Sequence, residues 1–220
     1  MKIIGVVGGI ASGKSTVSRY LSCIGACLIE VDKITHEVLE LPEIKDQLRV
    51  RFVKYGFVNA PERKPEDNRK EIGKIIIENE QEFQWLERLT FPLVDEFLKR
   101  SISRYSKEMP ALVLDCPLLF ETGWNKLCDL VVFVDTDEET RKERYIERSL
   151  RVSSILNPPK LTDLVQKWTA LEARQISLQS KKDAADFVVD CNTGYYQQYT
   201  TQFWETFVLG RPSQVQEHNV

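Results

Sequence analysis

The sequence predicts an α/β chain, a five-stranded parallel sheet flanked by helices. Two patterns lead there. Short apolar runs rich in β-branched residues alternate with longer segments of helical periodicity, the rhythm of strands buried on both faces and joined by crossover helices. The first such run, Ile3–Val7, passes directly into Gly8-Gly9-Ile10-Ala11-Ser12-Gly13-Lys14-Ser15-Thr16, which fits G-x-x-x-x-G-K-[ST].

The loop accounts for its own composition. Glycines let the backbone curl until several N–H groups point at one spot, and the positive end of the following helix adds to that anion cradle. Gly9, Ala11, Ser12, Gly13 and Thr16 belong to the cradle. Lys14 can bridge the β- and γ-phosphates of a nucleoside triphosphate, and the Ser15 hydroxyl can ligate Mg²⁺. Val17, Tyr20 and Leu21 then recur at helical spacing, so the loop leads into a helix.

The later strands are predicted at Ala26–Val31, Ala111–Cys116, Asp129–Asp135 and Asp186–Asp190. In open parallel sheets, ligands bind outside the carboxyl ends of the strands. The loop, Asp32, Asp115–Glu121, Asp135–Asp137 and Asp190–Asn192 all come directly after strands, and are expected on one edge. Two connections exceed simple crossovers. Residues 33–108 read as a helical insertion on the acceptor side, with a polar loop at 59–71 and Pro92 starting or kinking a helix. Residues 137–184 read as a lid, broken at Pro158-Pro159, with Thr162 or Asp163 capping the next helix. Residues 1–220 form a single domain on this reading, frayed at the end.

The totals narrow the function classes. A hydrophobic content of 42% in 220 residues supports a substantial core, and a net charge of −3 offers no basic surface for nucleic acid. No apolar run approaches the length of a bilayer span. The first strand begins at residue 2 or 3, leaving no room for a leader peptide, and the five cysteines form no paired C-x-x-C units. A cytoplasmic protein with reduced thiols is the expectation. The four tryptophans read as packing residues, with Trp124 near enough to Glu121 to touch substrate.

Asp32 stands just past the second strand. A carboxylate there suits proton acceptance from an attacking hydroxyl, and equally suits a helix N-cap before "KITHEVL". Arg144 and Arg148, four apart, share one helix face. They suit either a transferring phosphate or surface pairing with Glu143 and Glu147.

Several ordered segments resemble the dephospho-coenzyme A kinase family over about residues 2–194. "GGIASGKST" looks like its loop, and "IEVDKITHEVLE" is similar to its I-D-A-D segment, with Asp32 on the second Asp. "NRKEIG" looks like D-R-x-x-L-G, and "LVLDCPLLFETG" is close to the signature around P-L-L-F-E. "DEETRKERYIER" and "ARQISLQSKKDAADFVVDCNTG" match its lid helix and final strand. The resemblance implies a P-loop kinase core with a CoA-side helical region and a lid. It also implies ATP as phosphoryl donor, Mg²⁺, and the ribose 3′-hydroxyl of dephospho-CoA as acceptor, without nucleic acid or membrane; the oligomeric state stays open.

The resemblance also implies residue roles. Asp32 orients or deprotonates the hydroxyl, and Arg144 and Arg148 close over the transferring phosphate. Asp115 holds the metal through water, or caps a turn at its strand end. Pro117, Leu118, Leu119 and Glu121 line the acceptor site, although Glu121 also reads as a surface charge. Arg69 is a candidate for a CoA phosphate, Asn192 lies on the adenine side, and Gln175 matches a family glutamine of unassigned duty. This chain departs from the family pattern at Phe91 for His, His36 for Arg, Arg141 for Gln, Asn68 for Asp and Glu30 for Asp.

Overall fold

The computed structural model describes residues 1–57, 64–105, 109–152 and 159–211. In chain order the elements begin β1 (Lys2–Gly8), α1 (Lys14–Cys23), β2 (Cys27–Glu30), α2 (Val31–Leu39), α3 (Pro42–Phe52), α4 (Pro65–Glu78) and α5 (Glu80–Tyr105). Then come β3 (Ala111–Asp115), β4 (Leu130–Asp135), α6 (Glu138–Val152), α7 (Leu161–Glu172), α8 (Leu178–Asp183), β5 (Phe187–Asp190) and α9 (Tyr196–Phe203). Short 3₁₀ turns sit at Val53–Tyr55 and Trp124–Leu127, and a π-turn at Trp204–Val208 extends α9.

The chain forms two compact units, Met1–Ile29 with Arg104–Val220, and Glu30–Ser103. The first holds the parallel sheet, in the order β2-β3-β1-β4-β5. β1 is central, with Val6 opposite Asp115 of β3 on one side and Gly8 opposite Val134 of β4 on the other. The chain leaves β1 for β2 on one flank and later returns to β4 on the other, so the sheet reverses direction at β1 and opens its crevice there. Ile4, Val6, Val113, Val132, Val134 and Val189 form the core with Val17 and Leu21 of α1 and Phe203 and Trp204. All but Trp204 of these are fully buried or nearly so, each worth about 1.5–3 kcal/mol.

The second unit is helical. Phe52 is fully buried and sets edge-on contacts with Phe57 and Trp85, at centroid distances of 6.1 and 5.5 Å. Ile44, Leu48, Ile72, Ile75 and Val94 are buried with it. Pro42 and Pro65 occupy the first turns of α3 and α4, where a missing N–H costs nothing.

Several elements differ locally from expectation. β2, β3, β4 and β5 are one or two residues shorter than the apolar runs, β1 is one residue longer at each end, and Val31 opens α2 instead of ending β2. Residues 65–71, expected as loop, are helical, because Pro65 starts α4 and Glu66 and Asp67 favour its positive end. Pro92 starts nothing. It lies within α5, on an exposed face where the Arg88 carbonyl it leaves unpaired can reach water. Lys160, not Thr162 or Asp163, takes the N-cap position of α7, and both of the latter fall in its first turn. Asn59–Arg63, Asn157, Pro158 and the terminal residues 212–220 lie outside the described residues. None of the five cysteines forms a disulfide.

Candidate active site

The loop leaves the carboxyl end of β1 and enters α1 at Lys14, with Gly13 as N-cap at φ 100°. Ala11 carries φ 58°, a left-handed conformation that costs a residue with a Cβ. Close packing explains two of the glycines. A Cβ on Gly8 would lie 2.6 Å from the Val134 carbonyl oxygen and 2.7 Å from Ser12 Oγ; one on Gly9 would lie 2.4 Å from Arg141 Nη1. Lys14 Nζ folds back to donate to the carbonyls of Gly9 at 2.7 Å and Gly8 at 3.1 Å, so its charge sits over the cradle. Ser12 is fully buried and its hydroxyl makes no hydrogen bond, while Ser15 and Thr16 are exposed at the start of α1. A buried unpaired donor, a lysine and a helix N-terminus together fit phosphate oxygens.

The neighbouring strand ends converge on this loop. Thr136, just past β4, donates its hydroxyl to the Ser12 carbonyl at 2.8 Å. Asp137 caps α6 by accepting from the Thr140 amide at 2.8 Å, and that bond, with the Thr140 hydroxyl, holds its carboxyl below the usual range. Asn192, past β5, accepts from the Asp137 amide at 2.9 Å and donates to Asp190. Asp115 is buried at the end of β3, two register positions before Gly8. Burial pushes the Cys191 thiol up to about 11 against the opposing pull of Arg144. Arg144 Nη1 and Cys191 Sγ each lie 4.0 Å from where a Cβ on Gly13 would stand, so Arg144 reaches the loop; Arg148 is exposed one turn further along α6.

The segment after β3 divides. Pro117 and Leu118 are half-buried. Leu119, expected to line the acceptor site, is fully buried instead, and fills the space that Gly5 leaves, 2.4 Å from where a Cβ there would lie. Glu121 is not a surface charge either. Its Oε1 pairs with Lys181 Nζ at 2.8 Å and accepts from the Ile176 amide at 3.0 Å, and its Oε2 is buried without a hydrogen bond. Lys181 is fully buried, and donates also to Pro117 O and Gln175 Oε1. Gln175 thereby acquires a structural duty. Lys181 escapes sequence reading because it sits among charges in "SKKDAAD" and looks solvated.

Arg141 is the other residue that sequence reasoning passed over, beyond marking it as a departure. It is buried at 3% exposure, paired with Glu172 at 3.0 Å and stacked over Trp168 at 5.1 Å. Trp124, Trp168 and Trp204 are buried as expected of packing residues, and Trp85 packs on Phe52.

In the helical unit, α2 begins one residue before Asp32, with Glu30 as N-cap, so Asp32 is an exposed first-turn residue and not the cap. A carboxylate there gains from the helix dipole. His36 comes one turn on, and Glu40 two turns on. Burial first, then the Arg69 guanidinium, lower the His36 pKa from its ordinary value, with Asp32 and Glu40 opposing. Arg69 lies 3.7 Å from Glu40 and 3.8 Å from Glu66. Asp32, His36, Glu40 and Arg69 thus form one electrostatic group.

Comparison with known proteins gives the lineage. The family model described as "Dephospho-CoA kinase" matches residues 2–197. The dephospho-CoA kinase of Symbiobacterium thermophilum is 37% identical over 195 residues, covering 86% of this chain and 74% of that one. That of Synechococcus sp. strain CC9605 is 36% identical over 194 residues, covering 87% and 85%. Among solved structures, TT1252 from Thermus thermophilus superposes with a TM-score of 0.71 at 24% identity, over 91% of this chain and 94% of that one. The dephospho-CoA kinase from Campylobacter jejuni reaches 0.60 at 21% identity, over 95% and 98%, which supports the same fold. With the loop, the strand order and the P-L-L-F-E segment already in place, the match across nearly the whole length leaves one assignment: the chain belongs to the dephospho-CoA kinase family.

Proposed function

We infer that this protein transfers the γ-phosphoryl group of ATP to the ribose 3′-hydroxyl of dephospho-CoA, releasing CoA and ADP, the closing step of coenzyme A synthesis. The observation that carries the reading is the loop on the central strand, with Lys14 Nζ 2.7 Å from the Gly9 carbonyl and the Ser12 hydroxyl buried and unpaired beside it. The 3′-oxygen attacks the γ-phosphorus as the bond to the β,γ-bridging oxygen breaks; the hydroxyl proton passes to the Asp32 carboxylate, and ADP leaves with the bridging oxygen. Lys14 and the loop amides hold the phosphates in line, and Arg144, which reaches Gly13, and Arg148 offset the charge that builds on the transferred group.

Mg²⁺, when bound, would neutralise the donor's phosphate oxygens. Ser15 and Asp115 would hold it, the latter through water, and their oxygen donors fit a hard cation. Among the described residues no group of three or more His, Cys, Asp or Glu side chains could hold a metal ion. Pro117, Leu118 and Arg69 would contact the acceptor, and Asn192 the adenine side. On this reading residues 33–108 act as the acceptor-side insertion and 137–184 as the lid of one kinase domain. No helix among the described residues is long and apolar enough to cross a membrane.

A coupled ADP-release assay with dephospho-CoA, adenosine, dAMP and pantetheine as parallel acceptors tests the proposal. ATP consumption is expected only with dephospho-CoA. Equal turnover with adenosine would transfer the protein to nucleoside phosphorylation.

A further inference from the structure

Arg141 joins three elements to the first half of the loop. It sits in the first turn of α6, yet only 3% of it is exposed. Its Nε donates to the Thr136 carbonyl at 3.2 Å, and its Nη1 donates to Glu172 Oε1 at 3.0 Å and stands 3.5 Å from the Ile10 carbonyl. The guanidinium faces the Trp168 ring of α7 at 5.1 Å. It also lies flat against Gly9: a Cβ there would meet Nη1, Cζ and Nε at 2.4, 2.7 and 3.0 Å. Glu172, at the end of α7, closes the ring by accepting the Ile10 amide at 3.1 Å on the oxygen that holds Arg141.

A buried arginine is costly unless its planar fork is matched, and here the fork is matched by one carboxylate, a carbonyl and an aromatic face. The Glu172 carboxylate binds both the arginine and a loop amide. Arg141 and Glu172 meet the loop at Gly9 and Ile10, whose path sets where the Gly8 and Gly9 carbonyls meet Lys14 Nζ.

We propose that Arg141 and Glu172 are positioning residues that fix the Gly9–Ile10 segment in its triphosphate-receiving shape and couple it to α7. This rests on the reading of the loop as the ATP site. An exposed arginine on α6 would be free to track substrate; a buried one stacked on Trp168 and clamped by Glu172 serves the loop instead. α7 therefore reports directly to the donor site, although none of its side chains is expected to touch the nucleotide.

The test compares wild type with Arg141→Gln, Arg141→Lys, Glu172→Gln and the Arg141→Gln/Glu172→Gln double variant. It measures ATP binding by calorimetry without acceptor, KM for each substrate, and Tm. We expect ATP affinity to fall on the order of tenfold in Arg141→Gln. The KM for dephospho-CoA should stay within about twofold, Arg141→Lys should recover part of the loss, and the double variant should be no worse than Arg141→Gln, because the two act as a unit. A lowered Tm with unchanged ATP affinity would reduce the pair to packing and overturn the proposal. If Arg141→Gln does not fold, Glu172→Gln decides: it keeps an oxygen for the Ile10 amide and removes only the charge, so unchanged ATP affinity there is equally fatal. Lys14→Ala runs alongside. If it loses ATP binding while the Arg141 and Glu172 variants do not, the positioning role alone fails; if it retains ATP binding, the loop reading fails and takes the positioning role with it.

Discussion

Lys181 and Glu121 meet at 2.8 Å, with the lysine fully buried and the carboxylate 16% exposed. The pair ties α8 to the P-L-L-F-E segment, because the same ammonium also holds the Pro117 carbonyl and Gln175. Removing one partner of a buried pair leaves the other charge without its counterion. Lys181→Met fills a similar volume but strands the Glu121 carboxylate, and should cost about 3 kcal/mol of stability. The Pro117–Glu121 segment should loosen with it and raise the KM for dephospho-CoA. Urea unfolding and steady-state kinetics read both effects. A loss under about 1 kcal/mol would mean that water already serves Glu121 in place of the lysine.

Asp32→Asn keeps the size of the side chain and the start of α2 but removes the proposed proton acceptor. We expect kcat to fall by about 10²–10⁴, with the KM for ATP changed less than about threefold. The alternative duty of an N-cap is already excluded, because Glu30 holds that position. A wild-type kcat in Asp32→Asn would take the residue out of the chemistry.

Much of this arrangement can be read in the sequence, and the reasons are local. Ile3–Val7, "ALVLD" and "DLVVFVD" are apolar on both faces, a pattern that only a strand between two helical layers requires, and the loop motif dictates the turn and helix beyond β1. The illegible part depends on long-range partners. Arg141 lies in "EETRKERYIER", a charged run typical of a solvated helix, and its burial is decided by Glu172 and Trp168, which lie 31 and 27 residues away in the chain. Lys181 is hidden in the same way by Glu121. Leu119 reads as one of several apolar residues in "CPLLFE"; only the missing side chain of Gly5 shows which of them turns into the core. Pro92 misleads because propensity is local, whereas α5 is sustained by Leu86, Val94 and Leu98, which are buried along one face.

Glu82 gives the helical unit a pH-dependent contribution. It is 3% exposed, and accepts from Arg51 at 2.8 Å and Tyr55 at 3.1 Å, with Lys54 paired at 2.8 Å. Burial alone would raise its pKa, but the hydrogen bonds from Lys54, Arg51 and Tyr55 prevail and hold it at about 2, below the usual 4.5. A depressed carboxylate stabilises the folded state above its unfolded pKa, and that stability is lost as pH falls through the folded value. Glu82→Gln should cost about 1–2 kcal/mol at pH 7, the lower part of the range for charge-assisted bonds because Arg51 and Lys54 are themselves half exposed. The gap between variant and wild type should narrow from about pH 4.5 downward and close near pH 2. Urea titrations across that span check it, and a gap that stays constant with pH would show that Glu82 acts by packing.

Ala11 holds φ 58° in the loop, and is the only residue other than glycine with positive φ among those described. A Cβ in that region is strained, so Ala11→Gly relieves the native state while adding freedom to the unfolded chain. The two effects oppose each other. At a position already left-handed the relief prevails, and a gain of about 0.5–1 kcal/mol is expected. Denaturant unfolding of Ala11→Gly measures the balance. In the proposed function the loop carries the phosphates, so ATP affinity gives an independent readout: if the strain is part of a preformed cradle, Ala11→Gly stabilises the protein while weakening ATP binding, whereas a gain in both would show the methyl group to be a burden without function. A net loss of stability would mean that neighbouring contacts, including the Thr136 bond to the Ser12 carbonyl at 2.8 Å, already impose the conformation and absorb its cost.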